Sequence, residues 1–307
     1  MRIVSLIASS TEITCALGME EYLVGRSHEC DYPPSVLGLP VCSEPKFPTN
    51  SKSSEIDECV KGLLEQALSV YRVDSEKLRQ LQPTHILTQT QCDVCAVNLR
   101  DVEEAVQTLV DSKPQIVSLH PNALSDLWKD IERVAEALEV PERAQKLISD
   151  LQSRMSAIER RTVLLSRPTV ACIEWIEPLM ASGNWMPELV HMSGGQNLFG
   201  EPGIHAPRLE WCEVVDADPD ILLILPCGLD IQRTRKELQA LTRKPDWTKL
   251  AAVRSGNVYL LDGNQYFNRP GPRLAESLEI LAEIFHPEYF AFGHEGKGWE
   301  RLPRSQQ

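Results

Sequence analysis

Thiols and an imidazole gather in loops of the first third of the chain. His28, Cys30 and Cys42 precede Cys92 and Cys95, and the last two form a C-x-x-C. Thiolate and imidazole ligands brought together suit Zn²⁺, an iron–sulfur cluster or cobalt. A zinc ribbon repeats its C-x-x-C, and this chain has one such pair. A thioredoxin-type pair opens a helix inside a different fold. His28-Glu29-Cys30 lacks the partner of a zinc deaminase, because Thr90-Gln91 precedes Cys92. The plain alternative is that all five are small loop residues in a reducing compartment. Cys15, Cys59, Cys172 and Cys227 fall inside helical or strand patterns and read as core thiols, with Cys212 open to either reading.

A second group of residues suits binding more than catalysis. Trp175 follows an apolar run, Trp185 lies in Gly183-Asn184-Trp185-Met186-Pro187-Glu188, and Glu210-Trp211 follows a Gly/Pro-rich loop. The segment Asp262 to Arg273 holds Tyr266, Phe267, Asn268 and Arg269 among Pro and Gly. Each tryptophan alone is best read as packed under its own loop. Together they suggest an aromatic wall for a flat, largely apolar ligand. Near the N-terminus, Ser10 or Thr11 is expected to cap a helix and leave amides that hold a polar ligand group. Phosphate loops, G-x-G-x-x-G, G-x-S-x-G and H-E-x-x-H do not occur.

These loops need elements to position them. Short branched apolar runs recur at Ile3–Ile7, Tyr22–Gly25, His85–Thr88, Ile116–Leu119, Thr169–Ile173, Ile221–Leu225 and Val258–Leu261. Such runs, bounded by Pro, Gly, Asp or Asn, read as buried parallel strands. Helical patterns at Leu99–Leu109, Leu124–Leu138 and Leu274–Phe285 lie between them, which implies an α/β architecture. Pro141 to Arg161 is a longer helix with a stripe of Ala144, Leu147, Ile148, Leu151, Met155 and Ile158. Strand groups on both sides predict two Rossmann-like α/β lobes with mainly parallel sheets, bridged by this one helix. The expected divisions are residues 1–122, a helical connection 123–166, and 167–307. A single domain with one surface helix is the plainer alternative. In open α/β sheets ligands sit beyond the carboxyl ends of strands, where both residue groups fall. The long Pro/Ser-rich loop from Asp31 to Ser54 is flagged as functional.

The 307 residues carry 31 Lys+Arg against 44 Asp+Glu, a net charge of −13 that argues against a general nucleic-acid binder. Nine cysteines is an odd number, so disulfides cannot account for all of them. The N-terminus reads as a first strand running into a helix, not as an export signal, and no window is long and apolar enough to span a membrane. A cytoplasmic protein with reduced thiols is the expectation.

The order of several segments resembles the vitamin B12-binding periplasmic-type solute-binding proteins. They are Arg2-Ile3-Val4-Ser5-Leu6, Ser9-Ser10-Thr11-Glu12-Ile13, Leu23-Val24-Gly25, Cys30-Asp31-Tyr32-Pro33, Leu81-Gln82-Pro83-Thr84-His85-Ile86-Leu87, Gly256-Asn257-Val258-Tyr259 and the run from Arg273 to Pro287. His28–Pro33 and Gln91–Ala96 are similar to a cysteine-containing subgroup. The resemblance implies two lobes bridged by a long helix, with cobalamin, another corrinoid, haem, an iron–siderophore complex or a metal ion held between them. It also implies an ABC transporter permease as partner; a corrinoid carrier in the cytoplasm is the alternative, and a monomer is expected. The implied ligand contacts in the first lobe are Ser10, Glu12, Tyr32 and Gln91. Those in the second are Trp175, Trp185, Glu210, Trp211, Tyr266, Phe267, Asn268 and Arg269. His28, Cys30, Cys42, Cys92 and Cys95 are the candidate metal set, as Zn or Fe–S ligands. A metal-dependent or redox enzyme is the remaining alternative, with no catalytic residue assigned.

Overall fold

The computed structural model describes residues 1–65, 70–90, 99–107 and 113–303. Two compact units divide the chain. The first holds Met1–Ser51, Glu55–Pro121 and Ser125–Asp150, and the second holds Lys52–Ser54, Asn122–Leu124 and Leu151–Gln307.

The first unit is built on a four-stranded, wholly parallel sheet. Its strands are β1 (Ile3–Ser5), β2 (Leu23–Arg26), β5 (His85–Gln89) and β6 (Gln115–Leu119), in the order β2-β1-β5-β6. Val4, Ile86 and Leu87 are fully buried, as strands covered on both faces require. Helices α1 (Ala8–Ala16), α2 (Ser53–Glu65), α3 (Ser75–Leu81), α4 (Leu99–Gln107) and α5 (Leu124–Ala137) follow or link the strands. A short antiparallel pair, β3 (Ser43–Pro45) with β4 (Tyr71–Val73), stands apart from the main sheet. Val70, Tyr71 and Val73 carry it onto the core of Val4, Leu6, Leu78 and Ile86. Neither of these three-residue strands has enough apolar period to be read from sequence.

Helix α6 (Pro141–Thr162) is the longest element and passes from the first unit into the second. Pro141 occupies its first turn, where no N–H is needed. Ala144, Ile148, Leu151, Met155 and Ile158 are buried, so the stripe expected from sequence is the face that packs.

The second unit centres on β7 (Thr169–Trp175), β10 (Ile221–Ile224) and β11 (Val258–Leu261), all parallel. Short β8 (Met180–Ala181) and β9 (Gln196–Asn197) pair with β7, and β12 (Trp299–Arg301) closes the other edge antiparallel to β11. Helices α7 (Met186–Met192), α8 (Trp211–Ala217), α9 (Ile231–Glu237), α10 (Gln239–Thr242), α11 (Ala251–Ser255) and α12 (Leu274–Phe285) complete the unit. The core joins Ile173, Leu222, Ile224, Val258 and Leu260 from the sheet to Trp247 and Leu241. The fold is α/β with mainly parallel sheets. Among the described residues no helix is long and apolar enough to cross a membrane.

Candidate functional site

Residues at the carboxyl end of the first sheet form a buried hydroxyl–thiol cluster. Thr11 donates to Ser5 Oγ at 2.7 Å and approaches Cys30 Sγ at 3.0 Å. Ser5 and Ser10 share a hydrogen bond of 2.7 Å, and both reach Ile7 O at 3.1 Å. Cys30 also lies 3.5 Å from Ser27 Oγ. Burial pushes the Cys30 thiol up and keeps it neutral. The cluster ties β1, the start of α1 and the loop after β2 into one piece.

This corrects the expected helix cap. Helix α1 begins at Ala8 with Ile7 in the capping position and no side-chain cap. Ser10 and Thr11 lie inside the first turns and bond backward, as mid-helix Ser and Thr do. Glu12 is buried on the same helix.

The candidate metal set is not assembled by its described members. Among the described residues no group of three or more His, Cys, Asp or Glu is placed to hold a metal ion. Cys42 is buried against Gly25, and burial raises its thiol to about 11. His28 sets Nδ1 3.1 Å from Ser43 Oγ and lies against Tyr71 at 5.2 Å. Burial, then Arg26, lowers its proton affinity, so it is neutral at pH 7. Gln91, Cys92 and Cys95 lie outside the described residues. Among the four cysteines read as core thiols, Cys172 is buried and Cys15 and Cys227 are half-buried, but Cys59 is exposed on α2. Cys212 is exposed.

A second polar group at the ends of β5 and β6 was not found by sequence reasoning. Thr90 Oγ1 lies 2.6 Å from His120 Nδ1 and accepts from Ser118 Oγ at 3.1 Å. The His120 main chain donates to Asp130 at 3.2 Å, and Arg133 pairs with the same carboxylate. Asp130 is buried, which raises its pKa to about 6 despite these partners. Its signal was weak: one Asp in the helical run of α5.

In the second unit the turn after β11 is braced from below. Asp262 accepts from the main-chain N–H of Asn264 and Gln265 at 3.0 and 2.8 Å. Asn268 Nδ2 donates to Leu225 O at 3.1 Å and to Gly263 O at 3.0 Å, which joins the turn to the end of β10. Only glycine fits at 263, because a Cβ there would overlap the main-chain oxygens of Pro226 and Leu225. Trp185 donates its indole N–H to Phe267 O at 2.9 Å. Arg273 lies over the Tyr266 ring at 4.3 Å, and Arg269 donates to Asn264 Oδ1 at 3.0 Å.

The expected aromatic wall is therefore only partly available. Trp185 and Phe267 are turned inward, at 5% and 0% exposure, and hold the turn from beneath. Tyr266 is buried under Arg273. Trp211 stacks on Trp247 at 6.0 Å and donates to Pro245 O. Glu210 is the N-cap of α8, in a reciprocal capping box with Glu213. Trp175, half-buried at the end of β7, donates to Glu177 O at 3.0 Å, and Tyr32 is exposed. Asn264 and Gln265, half-buried at the tip of the braced turn, are the residues that sequence reasoning passed over in favour of their neighbours.

The sequence profile described as Periplasmic binding protein matches residues 3–265, and the chain belongs to that family. It is 23% identical over 282 residues to a vitamin B12-binding protein of Vibrio cholerae, with 91% of this chain and 86% of that protein covered. It is 23% identical over 297 residues to an uncharacterised ABC transporter substrate-binding lipoprotein of Bacillus subtilis, covering 94% of this chain and 81% of the relative. A periplasmic heme-binding protein from Roseiflexus sp. RS-1 has the same fold, with a TM-score of 0.68 at 22% identity, covering 93% of this chain and 98% of that one. These relatives are binding proteins, not enzymes.

Proposed function

We propose that this chain is the solute-binding component of an ABC transport system and that its solute is cobalamin or a related corrinoid. The observation that carries the reading is the braced turn Gly263–Phe267 at the carboxyl end of the second sheet. Its main chain is fixed by Asp262, Asn268 and Trp185, so little ordering entropy is lost when a large rigid ligand settles on it. Nothing in such a platform needs to react. The solute is met by Asn264 and Gln265 at the tip of the turn and by the half-buried ring of Trp175 at the end of β7.

The sequence relatives named for vitamin B12 favour a corrinoid, and the heme-binding structural neighbour makes haem the comparison ligand. Delivery to a permease follows from the same family membership. The test is an absorbance titration of the purified chain with cyanocobalamin, hydroxocobalamin and haemin. A saturable spectral change with a cobalamin at one ligand per chain is expected. A change with haemin alone reassigns the solute, and no change with any of the three rejects the reading.

A further inference from the structure

Four of the eight exposed large apolar side chains among the described residues lie on two stretches of the second unit that Arg161 joins. Val163 and Leu164, 60% and 88% exposed, follow the last turn of α6. Tyr289 and Phe292, 54% and 42% exposed, follow α12. The two stretches are joined by Arg161, whose guanidinium lies 4.2 Å over the Phe290 ring and donates to Tyr289 O. Phe290 in turn stacks on Phe292 at 5.9 Å. A side chain as exposed as Leu164 contributes nothing to this unit's core, so folding does not explain it.

The charge around the patch is the reverse of the chain's. Residues 160–167 hold Arg160, Arg161 and Arg167 and no carboxylate, in a chain of net charge −13. Segment 286–294 adds one carboxylate, Glu288. All three arginines are exposed. Protruding aliphatic and aromatic side chains flanked along the chain by exposed arginines match the interface of an anionic bilayer, where the cations meet phosphate and the apolar tips enter the acyl boundary. A second copy fits less well. A two-fold contact would set this patch against itself and bring the arginines of both copies together.

We propose that the end of α6, with the Tyr289–Phe292 segment, is a membrane-contact patch that seats the protein on an anionic lipid surface. This goes beyond solute binding and does not depend on which solute is carried.

The experiment is sedimentation of the full chain with phosphatidylcholine vesicles, with and without phosphatidylglycerol, at low and high salt. Binding is expected only with phosphatidylglycerol, and it falls as salt screens the arginines. Leu164→Asp abolishes it. Arg160→Gln with Arg167→Gln weakens it roughly 20- to 30-fold, the product of about fivefold for each cation at a lipid surface. Both variants keep the wild-type melting temperature, because the changed side chains are exposed. The proposal is overturned if the wild type fails to sediment with the anionic vesicles at low salt, or if the variants sediment equally well. Self-association in ultracentrifugation that Leu164→Asp removes also overturns it, and assigns the patch to a second copy.

Discussion

Replacing Asn268 separates a bracing role from a ligand-contact role. In the folded chain its amide donates to two main-chain oxygens, Leu225 O at 3.1 Å and Gly263 O at 3.0 Å. Asn268→Ala removes both bonds. A neutral hydrogen bond contributes about 1 kcal/mol net, so the loss is about 2 kcal/mol before any relaxation. In a unit of this size that lowers the melting temperature by roughly 4–8 °C. Asn268→Asp costs more, because a carboxylate cannot donate and faces two carbonyl oxygens. Urea unfolding followed by tryptophan fluorescence reads the right unit, since five of the six tryptophans lie in it. The expected order of stability is wild type, then Asn268→Ala, then Asn268→Asp. An Asn268→Asp protein as stable as the wild type would refute the bracing argument. Lost binding with an unchanged unfolding midpoint would move Asn268 into direct contact with the solute.

Three further outcomes are expected. Gly263→Ala forces the turn away from Pro226 O and Leu225 O, so it loses both stability, by unfolding midpoint, and solute affinity; an unchanged midpoint contradicts the close approach. Thiol labelling of the native protein, mapped by peptide mass, modifies Cys59 and Cys212 and spares Cys30, Cys42 and Cys172 until the chain unfolds; labelling of Cys30 at the rate of Cys59 would mean that the hydroxyl cluster is open. The third concerns Asp130, whose folded value of about 6 exceeds the ordinary 3.8. The folded state then binds this proton more tightly than the unfolded chain. Its contribution grows as pH falls through about 6 and is complete below 3.8. Relative to Asp130→Asn, the wild type gains on the order of 2–3 kcal/mol between pH 7 and pH 4. A parallel pH dependence in the two proteins would contradict this.

What the sequence disclosed follows from the physics of each element. Val258–Leu261 is a run of buried apolar residues, and it is the strand β11 with the same limits. The stripe in α6 was legible because its period is long and uninterrupted. The pair β3 and β4 was not, because Ser43-Glu44-Pro45 holds its place through a partner more than twenty residues away. Side-chain direction was the other blind spot. Trp185 and Phe267 lie in the expected loop, yet tertiary contacts turn them inward, and a loop position alone does not set that direction. Ser10 and Thr11 misled for a related reason. The helix begins two residues before Ser10, at Ala8, and its first turn is fixed by burial beside Cys30, not by a cap. The thiols drew notice by their chemistry, whereas burial keeps Cys30 and Cys42 protonated.

The central claim is that a corrinoid is this chain's solute. Isothermal titration of the purified chain with cyanocobalamin, set beside an identical titration with haemin, tests it most directly. Saturable heat at one cobalamin per chain, with weaker or absent binding of haemin, is the predicted result. Saturation by haemin with no heat from cobalamin would contradict it.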